Sequence, residues 1–130
     1  TPVNANILES GKFQINTQFD IAHIQNIKNR NEYNWSGIVF LTPDAPINSG
    51  LGFYKYKKNN SIDINGITDN SWKDFSKDVT KWELVTNISN IFNRLVLFDS
   101  SQYHMDLNYF GINKDDGRLM QLFFIDLQLI

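Results

Sequence analysis

Cysteine is absent from this 130-residue chain, which excludes a disulfide framework and any thiolate metal site. Such a chain suits a reducing compartment, and a bound metal would have to rest on His, Asp, Glu or backbone oxygen. Imidazole is scarce as well, since His23 and His104 are its whole supply. No apolar run approaches a bilayer span, and the first residues lack the basic-then-apolar order of a secretion signal. The expectation is a cytoplasmic protein with no membrane partner. Thr1 in place of Met fits a processed or trimmed chain with sequence upstream. A net charge of −2 argues against a partner held by phosphate neutralisation, and Lys55-Tyr56-Lys57-Lys58 is too short to be a basic stripe. No nucleic acid is expected. Gly-rich phosphate loops, His-Glu-x-x-His and a Ser-His-Asp arrangement at a known spacing are all missing.

What is present is apolar and aromatic. A hydrophobic content of 42% with ten Phe is enough to fill one core, and 130 residues make one domain, with its core over about 11–126. Phe13, Ile15, Thr17 and Phe19 alternate with Gln14, Asn16 and Gln18, the period of a half-buried strand over 12–19. Trp35-Ser36-Gly37-Ile38-Val39-Phe40-Leu41 reads as a buried strand that ends at Pro43 and Pro46. Leu51–Lys57 alternates again, and a polar excursion over 58–78 follows, with room for a short helical turn near 72–77. Thr80-Lys81-Trp82-Glu83 has the form of a capping box. Against a helix, Trp82, Leu84, Thr86, Ile88, Asn90 and Phe92 keep a period of two, which favours strand. Asn93-Arg94 suits a tight link, because Asn tolerates a left-handed backbone. Leu95–Phe98, 103–109 and 118–125 complete the strands. Many short strands between frequent turns predict an all-β sandwich or barrel.

Few residues could carry chemistry. On the strand over 103–109, His104 and Asp106 share one face, opposite Tyr103 and Met105. A His and a carboxylate on one face, joined by a second His, can bind Fe(II) as a facial triad with open positions. His23, His104 and Asp106 are therefore the candidate metal ligands, weighed against Asp106 as a surface carboxylate and His104 as a hydrogen-bonded structural residue. Arg118 opens an apolar strand. It is either a strand-end arginine paired with Asp115 or Asp116, or a fixed fork for a ligand carboxylate, with Arg94 as its rival. Trp35, Phe53, Tyr54 and Trp82 read as core.

The order of features resembles the Fe(II)- and 2-oxoglutarate-dependent dioxygenases, within them a prolyl-hydroxylase-like branch of bacteria and phages. The resemblance is carried by Trp35–Pro43, Ser49-Gly50-Leu51-Gly52-Phe53-Tyr54, Trp82-Glu83-Leu84-Val85, Phe92–Phe98, His104, Phe110-Gly111 and Gly117–Phe124, in that order. It implies a double-stranded β-helix, a jelly-roll barrel holding Fe(II) and 2-oxoglutarate inside its open end. Hydroxylation of a substrate C–H bond would be coupled there to decarboxylation of 2-oxoglutarate. By resemblance His104 is the distal iron-binding histidine, and Arg118 binds the far carboxylate of 2-oxoglutarate. His23 stands at the family's first His-x-Asp histidine, but the motif here reads His23-Ile24-Gln25. Asp106 or Asp20 could stand in for the missing carboxylate. The implied protein is a hydroxylase with an altered iron site, or a non-catalytic jelly-roll binding module that has lost iron chemistry. A small molecule or peptide is the expected substrate, a homodimer is admitted, and the excursion over 58–78 is the expected cover of the site.

Overall fold

Residues 3–20, 27, 34–65 and 68–129 are described by a computed structural model. Among them run seven strands: β1 (Val3–Asn16), β2 (Trp35–Phe40), β3 (Leu51–Tyr56), β4 (Trp82–Ile88), β5 (Leu95–Asp99), β6 (His104–Asp106) and β7 (Arg118–Leu129). They form two antiparallel sheets, ordered β1-β7-β2-β5 and β4-β3-β6. The all-β expectation holds for the described residues. Helix is confined there to single 3-10 turns at Gln18–Asp20, Ser71–Lys73 and Val79–Lys81. None is long and apolar enough to cross a membrane.

The strands differ from the expected ones where side chains redirect the backbone. β1 begins earlier than residue 12 and ends at Asn16, because the Asp20 carboxylate accepts the Thr17 N–H at 2.7 Å and caps a 3-10 turn. The face of β1 is also reversed. Phe13 is 67% exposed and Phe19 is exposed too, whereas Gln14 points into the space between the sheets. At 80–83 the capping box does not operate. Asp78 caps the turn instead, accepting the Thr80 N–H at 3.1 Å, and strand resumes at Trp82. β4 stops at Ile88, short of Phe92, and its register against β3 slips between Phe53 and Tyr54. Val85 is the extra residue, a β-bulge that sets Thr86 on the face opposite Leu84 and Trp82. Asn93 takes the left-handed backbone at φ 67°, as its residue type invites, and its N–H meets the Phe40 carbonyl at 2.7 Å.

Two apolar clusters lie on opposite faces of the sheet β4-β3-β6, the first outside the sandwich and the second between the sheets. Tyr56, Trp72, Trp82, Tyr103 and Met105 form one, with Ile27 packed among them. Ile38, Phe40, Leu51, Phe98 and Met120 form the other. The excursion over 58–78 belongs to the first. Trp72 packs on Tyr103 with ring centroids 5.4 Å apart, and the Tyr103 N–H donates to the Ile62 carbonyl. Those contacts hold it against the aromatic cluster.

Candidate functional site

Local structure at the start of β7 explains where Arg118 lies. The Asp116 carboxylate accepts the N–H groups of Ile112 and Asn113 at 2.8 and 2.9 Å, closing the turn that precedes the strand. These bonds outweigh the opposing effect of desolvation and hold the Asp116 carboxyl below its usual range. Next, the Thr42 hydroxyl accepts the Leu119 N–H at 2.9 Å and donates to the Gly117 carbonyl at 3.3 Å, pinning the end of β2 to the beginning of β7. Alternation then turns Arg118, Met120, Leu122 and Phe124 to the inner face.

Arg118 is fully buried. Its Nε donates to the Ser49 carbonyl at 2.6 Å and its Nη2 to the Gly50 carbonyl at 2.8 Å. Nη2 also reaches Asp106 Oδ1 at 3.3 Å, an ion pair. The guanidinium lies over the rings of Phe40 and Tyr109, at 5.6 and 5.3 Å. Gly50 is required at this point, since a Cβ there would collide with the Ile88 carbonyl. Arg118 thus pairs across the sandwich with β6 and the 49–50 turn rather than with Asp115 or Asp116. Its rival, Arg94, is exposed and donates to the Ser89 carbonyl.

His104 and Asp106 come from β6, held against β3 through the pairs Phe53 with His104 and Leu51 with Asp106. That strand is only three residues long. Beyond it the Leu107 N–H turns to the Gly50 carbonyl, and Asn108 has a positive φ. His104 is buried, and its Nδ1 meets the Gln102 carbonyl at 2.8 Å. A carbonyl can only accept, so Nδ1 carries a proton. Metal-binding imidazoles commonly have this arrangement. Asp106 has both oxygens engaged, Oδ1 by Arg118 and Oδ2 by the Tyr109 hydroxyl at 3.1 Å. Burial, and then the Asp106 charge beside it, push the Tyr109 phenol far above its usual range, so it remains a neutral donor.

Between the sheets lies a cavity of about 60 Å³, lined by Gln14, Ser36, Phe98, His104, Asp106 and Met120 among others. Ser36 shares a 2.7 Å hydrogen bond with Ser100. Arg118 stands behind the wall and touches the lining through Asp106 and Met120. A groove of about 470 Å³, lined by Trp35, Phe53, Tyr54, Val85 and Ile88, meets the cavity at Phe98, which lines both. The Phe98 ring packs on His104 at 4.9 Å and on Phe53 at 5.2 Å.

Three of the candidates therefore converge: His104 and Asp106 in the cavity wall, and Arg118 bonded to Asp106. His23 and Gln25 lie outside the described residues. Asp20, the other carboxylate considered for a metal, is engaged as the cap on Thr17. Among the described residues no three His, Asp or Glu side chains cluster as a metal group. Sequence reading missed Gln14, Ser36 and Tyr109. Only Ser36 left a signal, as a hydroxyl inside an otherwise apolar strand. Comparison with known proteins adds no relative: no protein-family model, curated protein or solved structure matches the chain.

Proposed function

We propose that the chain is a jelly-roll domain of the 2-oxoglutarate- and Fe(II)-dependent oxygenase type, acting on a C–H bond of a small-molecule or peptide substrate. The observation that carries this reading is the placement of His104 and Asp106 in the wall of one cavity between two antiparallel sheets, with Arg118 bonded to Asp106 behind that wall. Strand order supports it. An eight-stranded jelly roll sets its first strand beside its last in one sheet, as β1 lies beside β7 in the order β1-β7-β2-β5.

The donor chemistry suits the implied groups. His104 has its Nδ1–H anchored to a carbonyl, the anchoring that metal-binding imidazoles commonly show. Arg118 offers a buried, permanently charged guanidinium for a carboxylate. Fe(II) with 2-oxoglutarate would supply the O2-dependent hydroxylation. Asp106 acts as the counter-ion of Arg118, and the second imidazole falls to His23, with Gln25 where a carboxylate would stand. The groove beyond Phe98 has the volume and aromatic lining of a substrate site.

An anaerobic titration tests the reading. Fe(II) and 2-oxoglutarate are expected to give a visible metal-to-ligand charge-transfer band that His104→Ala abolishes. Protein that binds neither Fe(II) nor 2-oxoglutarate overturns it. One observation favours the second reading, a non-catalytic binding module: the Arg118 fork already rests on acceptors of its own chain. That module would give no band at any concentration and would leave O2 unconsumed.

A further inference from the structure

We infer that Asp106 fills the carboxylate seat of Arg118, so that a ligand carboxylate reaches the guanidinium only by displacing it. The inference deepens the oxygenase reading and takes from it the identity of the ligand as a small carboxylic acid. Three chain oxygens hold Arg118, and they are unequal. The Ser49 and Gly50 carbonyls are backbone, at 2.6 and 2.8 Å, in a turn that has no room for a side chain at Gly50. Asp106 Oδ1 is the most distant, at 3.3 Å, and belongs to a side chain that can rotate.

Position singles out the same residue. Asp106 lines the cavity, while the guanidinium lies behind the wall, so Asp106 separates the two. It is also the right chemistry for a stand-in. A carboxylate on a guanidinium is what an incoming acid would reproduce, and two oxygens in fork geometry would improve on this single contact. The cavity of about 60 Å³ suits the head of a small acid once the Asp106 carboxylate has left the seat. When Asp106 swings away, the Tyr109 hydroxyl, which it now holds at 3.1 Å, becomes a donor for the ligand. Asp106 is thereby a specificity-determining residue. It sets a threshold that weak or monodentate anions do not pass.

The test uses metal-free protein and Asp106→Ala. Formate or acetate at matched ionic strength is expected to raise the melting temperature of Asp106→Ala by about 3 °C or more beyond chloride, and to leave wild type where chloride leaves it. By calorimetry 2-oxoglutarate should bind Asp106→Ala about tenfold more tightly than wild type. Should Asp106→Ala fail to fold, Asp106→Asn keeps the shape, removes the charge and should show the same order of affinities. Carboxylates that shift the variant no more than chloride does, or a wild type that binds 2-oxoglutarate as tightly as the variant, overturn the inference. Rescue by formate without any binding of 2-oxoglutarate upholds the seat and sinks the oxygenase reading. Tight 2-oxoglutarate binding to wild type, unimproved in the variant, does the reverse.

Discussion

The sheet β4-β3-β6 is backed on its two faces by opposite means, an aromatic end outside the sandwich and an ionic end inside it. At the aromatic end Trp82 packs against Tyr56 and Tyr103, each with ring centroids 4.9 Å away, and the indole N–H donates to the Phe75 carbonyl at 2.9 Å. At the ionic end this sheet is joined to the other by Arg118, its carbonyl acceptors and Asp106. Aromatic closure removes apolar area from water and gives the Trp82 indole and the Tyr56 hydroxyl local partners, so it stabilises directly. Ionic closure takes two charges out of water and recovers only part of that through their attraction. A fold selected for stability alone would close both ends with rings. That it does not is the physical reason to look for function at the Arg118 end.

The largest expected effect is at the aromatic end. Trp82→Ala removes a ring packed on two others and orphans the Phe75 carbonyl, and should cost about 3–5 kcal/mol of unfolding free energy. Urea denaturation followed by circular dichroism measures it. The contrast between the ends collapses if the loss is below about 1 kcal/mol, the usual level for a surface change.

Next comes a pair of variants at the ionic end. Arg118→Leu strands the Asp106 charge and should cost about 3–5 kcal/mol. Adding Asp106→Leu removes that stranded charge, but the Ser49 and Gly50 carbonyls still lack their donor. The double variant should therefore recover part of the loss and stay about 1–3 kcal/mol below wild type. Full recovery would mean that the charged closure contributes nothing to folding, which sharpens the case that it serves a ligand.

This difference between the ends was only half legible in the sequence. Alternation located the strand at Leu51, and it put Met120, Leu122 and Phe124 on the inner side with Arg118. It could not say which face of β1 is inside, because the space between the sheets is partly polar and takes Gln14 while Phe13 faces out. Nor could spacing find the partner of Arg118. Asp115 and Asp116 are its sequence neighbours, yet the Asp116 carboxylate is held by its own turn, and the acceptors are Asp106, Ser49 and Gly50, brought in by the sheet. Local hydrogen bonding competes with long-range pairing in a way that the residue order alone does not rank. For His104 and Asp106 the alternation pointed to one shared face, and the cavity lining contains both.

The smallest expected effect concerns what feeds each end, and here the two are alike. Asp78, half-buried, caps the turn before Trp82, and Asp116, exposed, closes the turn before Arg118. Hydrogen bonds from Thr80 lower the Asp78 carboxyl, and those from the Asn113 and Ile112 N–H groups lower Asp116. A carboxyl lowered in the folded state binds its proton less readily there than in the unfolded chain. Its contribution is thus fully present above the unfolded value, near 4, and fades as the pH falls through the folded one. Melting temperatures from pH 7 down to 2 should decline below about pH 4 in wild type, and less steeply in Asp78→Asn and in Asp116→Asn. The two variants should flatten the acid limb to a similar degree, since neither cap touches the charge behind the cavity. A much larger flattening for Asp116→Asn would show that the turn before Arg118 is coupled to the Asp106 pair, and that the ionic end opens as a unit.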